Sequence, residues 1–224
     1  MIYTFGASKG GAGKSTLAFN TAVALACMGR KVIAVDTDRQ GALFAAVAKR
    51  DKHKDLPQFK AFTLYSDPDE PTYLAEALQG HAAEYDDMVI DTAPGTEHNE
   101  LRSALMISDV VVSPCQPSFF DTRTLPPMDA LVYGVRTLNP KLKALAVLNR
   151  CSVNVGSTKA TEARQLLSKL VQYSTMAIEI KGRDAFMEAP QVGQSALEYE
   201  YSTKKARDEM DTFFKELFSH GNPQ

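Results

Sequence analysis

Residues 9–16 read Lys-Gly-Gly-Ala-Gly-Lys-Ser-Thr, between a short apolar run and a helical pattern. Few local sequences restrict a fold this strongly. Clustered glycines let backbone N–H groups curl around an anion where side chains would block the approach. A helix starting at the loop aims its positive end at the same anion. A strand entering and a helix leaving such a loop belong to an open, mostly parallel α/β sheet.

The rest of the chain supports that architecture. Apolar, β-rich runs occur at Ile2–Ala7, Lys31–Asp36, Phe59–Tyr65, Met88–Asp91, Val110–Pro114, Leu142–Asn149 and Ala177–Ile180. Several are continuously apolar, as strands covered on both faces are. Leu17, Thr21, Ala24, Leu25 and Met28 follow a helical period that Gly29 closes. Further helical patterns cover residues 40–50, 71–80, 97–107, 121–138, 157–173 and 202–218. The expectation is a twisted parallel sheet with helices on both faces, one domain over residues 1–218 and a frayed tail at 219–224. The 224 residues are 44% hydrophobic and 23% charged, which excludes a disordered or fibrous chain. Cys27, Cys115 and Cys151 are too scattered for a disulfide frame or a zinc site.

The loop assigns its own chemistry. Gly10, Gly11, Ala12, Gly13, Lys14, Ser15 and Thr16 form the nucleotide cradle. Lys14 reaches the β- and γ-phosphates and the Ser15 hydroxyl ligates Mg²⁺. Asp36 and Asp38 stand at the carboxyl end of a strand, where open α/β sheets collect ligand chemistry. Met88–Asp91 is an apolar strand ending in a carboxylate, which places Asp91 toward Mg²⁺ through water.

Lys9 lies five residues before Lys14. With it the loop resembles the deviant Walker A motif of the ParA/MinD family of P-loop ATPases, and the small ParA-type partition ATPases most of all. The resemblance covers nearly the whole chain. It implies a weak, partner-stimulated ATP hydrolase using ATP and Mg²⁺. It implies a homodimer closed by ATP, in which Lys9 reaches the partner's nucleotide much as an arginine finger does. Val-Asp-Thr-Asp-Arg-Gln, ending at Gln40, is similar to the family's second motif, with Arg39 in place of a usual proline. By that likeness Asp38 orients the attacking water and Asp36 supports the metal. Asp-Thr-Ala-Pro-Gly after strand 88–91 resembles the loop that senses the γ-phosphate. Asn149 and Arg150 match a strand-end element beside adenine, and Pro190 and Gln191 fall in a Glu-Ala-Pro element on the same side.

What such an ATPase moves is read from charge. The net charge is −2, yet residues 150–183 hold six basic and two acidic side chains. Lys159, Arg164, Lys181, Arg183, Lys204 and Lys205 are the candidate contacts to nonspecific DNA, Arg183 by family resemblance. The resemblance then implies a cytoplasmic, nucleoid-associated protein that positions a plasmid or chromosome through a ParB-like or other cargo-bound stimulator. The alternatives are an ATPase that positions a protein complex or DNA-transfer machinery, and a MinD-like membrane-cycling regulator. The apolar stripe Met210, Phe213, Phe214, Leu217 and Phe218 could serve the last. Asp208, Glu209, Asp211 and Glu216 on the same segment oppose anionic lipid.

Overall fold

The computed structural model describes residues 1–67, 73–117, 125–154 and 158–221. The elements alternate: β1 (Ile2–Phe5), α1 (Lys14–Cys27), β2 (Val32–Asp36), α2 (Ala42–Arg50), β3 (Lys60–Thr63), α3 (Tyr73–Ala82), β4 (Asp87–Asp91) and α4 (Asn99–Ile107). There follow β5 (Val110–Cys115), α5 (Leu125–Val135), β6 (Lys143–Cys151), α6 (Lys159–Leu167), β7 (Ser174–Lys181), the short α7 (Asp184–Glu188), a 3₁₀ turn (Ala189–Val192) and α8 (Lys204–Gly221). The seven strands form one sheet in the order β3-β2-β4-β1-β5-β6-β7, and every pair is parallel.

Helices cover both faces. On one, α1, α2, α7 and α8 meet Tyr3, Phe5, Val32 and Ala34. On the other, α3 and α4 cover Ile33, Val35, Met88 and Ile90, and α4, α5 and α6 cover Val111 and the other side of β6. Strand β2 is buried along its whole length and splits its alternate residues between the faces. That two-sided burial explains why the run reads as continuous rather than alternating. Helix α1 is buried at eleven of its positions, Leu17 to Ala26 and Lys14 among them. A helix apolar all round can be held only deep in the domain. It thereby anchors the loop that precedes it.

Boundaries differ from the sequence expectations where tertiary contacts decide. Strand β7 runs from Ser174 rather than Ala177, as the next-to-β6 edge strand whose N–H groups at 177 and 178 are bound by Glu216 of α8. Helix α6 ends at Leu167 instead of continuing to 173, because Tyr173 turns into the core to bond Ser113 at 3.0 Å. The expected start of the helix at 121 lies outside the described residues. Helix α8 continues to Gly221, past the expected end at 218, and residues 222–224 of the expected tail lie outside the described residues. Its apolar stripe is core: Met210, Phe213 and Leu217 are fully buried and Phe214 nearly so. Each such side chain contributes roughly 2 kcal/mol by leaving water, so α8 does not offer this face to a lipid surface. Among the described residues no helix is long and apolar enough to cross a membrane.

Candidate nucleotide site

Three strand ends meet at the centre of the sheet. Phe5 of β1 and Asp36 of β2 are both register partners of Asp91 in β4. The loops beyond are cross-tied. Thr37 donates its N–H and its hydroxyl to the Asp91 carbonyl at 2.8 and 3.0 Å. Gly95 donates to the Ala7 carbonyl at 3.0 Å. The glycine loop is therefore tied to the loop after β4, and the end of β4 to the loop after β2.

The loop has the shape its glycines predict. Gly11 and Gly13 adopt positive φ, +74° and +103°. At Gly13 a side chain is also excluded by space, since an added Cβ would stand 2.1 Å from the Asn149 amide nitrogen. Lys14 opens α1 and is 6% exposed. Burial lowers its pKa, and Asp91 and Asp38 work against that shift. Asp91 is fully buried, and neither of its oxygens has a hydrogen-bond partner. Burial pushes its carboxyl up to about 7; Asp36 and Asp38 add to the rise, while the Ser15 hydroxyl and Lys14 oppose it. A buried carboxylate left without partners is costly unless a cation or proton completes it. Hard oxygen donors facing a phosphate loop suit Mg²⁺, so Asp91 and Ser15 fit the ion expected from the sequence.

Asp36 behaves differently. Its two oxygens accept from the N–H groups of Asp38 and Phe44, both at 3.0 Å. It organises the turn and the start of α2, and its pKa is raised by burial against those two bonds. Asp38 is half-buried and accepts from the Gln40 N–H at 3.0 Å. Arg39 is exposed and lies over the Tyr65 ring at 4.9 Å.

Two cavities flank the loop. One, of about 240 Å³, is walled by Gly13, Thr16 and Leu17 on the loop side, by Asn149 and Arg150, and by residues from Ile180 to Met187. Asn149 and Arg150 thus stand where the sequence placed them, beside the loop. Pro190 and Gln191 do not line this cavity. Their segment coils into the 3₁₀ turn and packs toward α2, where Gly193 lies so close that a Cβ would meet the Arg50 backbone at 2.3 Å. The Gln191 amide bonds the Met187 carbonyl instead. The wall comes from Gly182, Asp184, Phe186 and Met187; Phe186 and Met187 open the segment that carries the Glu-Ala-Pro element, whereas Gly182 and Asp184 were not among the expected residues. The second cavity, about 370 Å³, lies on the other side of the loop against the end of β5 and includes Lys9, Gln116 and Tyr173.

Arg50, on α2, is wholly buried and was not foreseen. It makes a two-pronged pair with Glu198 at 2.8 Å and also bonds the carbonyls of Pro57 and Gly193. Nothing in the local pattern around residue 50 announces a buried ion pair 148 positions away.

The candidate DNA contacts divide into two sets. Arg164 and Lys181 both pair with Glu179, and Arg183 grips Glu209 through two nitrogens. Lys159, Lys204 and Lys205 are exposed, with no acidic partner among the described residues.

The sequence model of the MipZ ATPase family matches residues 1–149. The carboxysome-distribution maintenance protein A of Halothiobacillus neapolitanus is 27% identical over 209 residues, 93% of this chain and 92% of that protein. A protein described as a plasmid partition protein from Borrelia burgdorferi, solved with AMPPNP, superposes with a TM-score of 0.75 at 19% identity, covering 97% of this chain and 98% of the other. The septum site-determining protein MinD of Pyrococcus horikoshii, solved with Mg-ADP, gives 0.67 at 20% identity over 96% and 95%. With its glycine loop, strand-end carboxylates and parallel sheet, this chain is an ATPase that belongs to the MipZ family, in the ParA/MinD class of positioning ATPases.

Proposed function

We propose that this ATPase is a switch that ATP closes into a homodimer, which rides on nonspecific DNA and positions a cargo until a cargo-bound partner triggers hydrolysis. One observation carries the catalytic part. Buried Lys14 and the unpartnered carboxylate of Asp91 meet at the phosphate loop. Lys14 and the loop N–H groups hold the phosphates. Ser15 and Asp91 hold the metal, with Asp36 bracing the turn beside them. Bound Mg²⁺ supplies neutralisation of phosphate charge. Asp38 orients the attacking water, a task that needs alignment more than basicity. Lys9 of a second copy adds a cation at the transferring phosphoryl group. The adenine lies in the cavity beside Asn149 and Arg150.

The DNA part rests on the exposed Lys159, Lys204 and Lys205, doubled by dimerisation. Arg164, Lys181 and Arg183 spend their charge on glutamates. The relative that spans nearly the whole chain is named for carboxysome distribution, and this supports a protein assembly as cargo as well as a plasmid or chromosome. The test is binding to random duplex DNA with ADP, ATP and a slowly hydrolysed analogue at several salt concentrations, with Lys9→Ala and Lys204→Ala/Lys205→Ala alongside. Binding that needs ATP, weakens with salt and is lost in both variants is the expected outcome. No binding in any nucleotide state refutes the DNA matrix.

A further inference from the structure

Two side-chain amides from neighbouring strands grip the phosphate loop from outside. Gln116, just beyond β5, donates to the Gly11 carbonyl. Asn149, on β6, donates to the Ala12 carbonyl at 2.7 Å. The two acceptors are consecutive peptide units. Both amides are buried, Gln116 at 9% and Asn149 at 5% exposure, so water competes poorly for either bond.

The backbone of β6 is bent to aim Asn149. Arg150 is the one non-glycine with positive φ among the described residues, at +54°. The β6–β7 register shifts between Leu148 and Cys151. In this conformation the Arg150 N–H turns back to the Asn149 side-chain oxygen at 2.9 Å. The acceptor end of the amide is thereby used, and its donor end faces the loop. Left-handed conformations at non-glycine residues persist only where surroundings enforce them, and they gather at functional sites.

A phosphate nest needs its N–H groups turned inward, so its carbonyls must turn outward. Outward carbonyls in a buried setting need donors. We propose that Gln116 and Asn149 are positioning residues for nucleotide binding: they set the peptide planes of Gly11 and Ala12 before the phosphates arrive. This goes beyond the base-side role expected of Asn149 and rests on the ATPase reading of the site. The two amides act on ground state and transition state alike. Their loss therefore raises the Kd of ATP and ADP together, and the KM, while kcat at saturation holds.

Gln116 gives the cleaner test, because it does not line the base-side cavity. Gln116→Met keeps the length and removes the donor. Gln116→Glu keeps the shape and sets an acceptor against a carbonyl. Fluorescent ATP and ADP are titrated with Mg²⁺, kcat and KM are measured, and hydrogen exchange of residues 11–13 is followed without nucleotide. The Kd for both nucleotides rises about threefold in Gln116→Met and about tenfold in Gln116→Glu. Exchange at the loop quickens, and kcat stays within about twofold of the parent. Parental Kd values in both folded variants overturn the proposal. So does a fall in kcat with Kd unchanged. If neither variant folds, the contacts serve the fold and the proposal fails.

Discussion

At the centre of the sheet Asp91 is fully buried with neither oxygen in a hydrogen bond, and Lys14 is buried beside it. At the β7 edge Arg164, Lys181 and Arg183 are partly exposed, and each holds a glutamate. At the centre burial outweighs the attraction between Lys14 and Asp91, whereas at the edge each cation holds its glutamate where water would have screened it. An uncompensated buried charge persists when something that binds completes it. The paired cations at the edge stitch β7 to α6 and α8, which is a structural task. Glu209 illustrates this, since it accepts from both Arg183 and the Lys181 N–H.

The largest effect is expected of Asp91→Asn. ATP hydrolysis falls by about a thousandfold, from loss of the metal-side carboxylate. In the absence of nucleotide and metal at pH 8, the same variant melts about 2–4 °C higher, because a buried unpaired charge has gone. Calorimetry and a phosphate-release assay read the two effects; a lower melting temperature contradicts the uncompensated-charge account.

Arg50→Met tests a buried charge that is compensated. Stranding Glu198 costs about 3 kcal/mol in denaturant unfolding, opposite in sign to Asp91→Asn. A neutral result shows that the pair is dispensable.

The pH dependence of that pair follows. Burial alone raises the Glu198 carboxyl, but hydrogen bonds from Arg50 and the Ser195 N–H outweigh it, and the net pKa lies below the usual 4.5. A depressed folded value means the stability is present above pH 4.5 and is lost as pH falls through the folded pKa. Glu198→Gln therefore trails the parent by a constant margin near neutrality, and the margin shrinks in acid. Parallel stability curves down to about pH 3 remove Glu198 from the acid limb.

The smallest effects come from the edge. On the proposed DNA matrix, Lys204→Ala/Lys205→Ala lowers the salt slope of binding by about 1–2 per subunit. Glu209→Gln frees Arg183 and tightens binding by about threefold if paired cations are held in reserve. Unchanged affinity assigns the Arg183–Glu209 pair to structure alone.

Legibility followed the range of the contacts. The order of elements and the phosphate loop were readable because glycine spacing and apolar runs are local. Lys14, Ser15 and Asp91 could be named for the same reason, whereas the roles of Lys9 and Asp38 came through the family resemblance. Asp36 was legible as a site residue, yet its two bonds to Asp38 and Phe44 needed the turn to be seen. Pro190 and Gln191 lie outside the cavity beside Asn149 because the chain coils after Asp184, and packing against α2 decides which side of that coil faces the loop. Gln116 carried one usable signal, its position at the carboxyl end of a strand next to β1.

The parallel sheet, the phosphate loop and the strand-end carboxylates beyond it follow from local sequence, since each depends on residues within one strand–loop–helix unit. Which charges are spent and which are held open is set by how the chain packs in space. Glu198 meets Arg50 across 148 positions, Glu209 meets Arg183 across 26, and Asp91 has only the Ser15 hydroxyl and Lys14 to set against its burial. Compensation of charge is a property of distance in space, and chain spacing does not encode it.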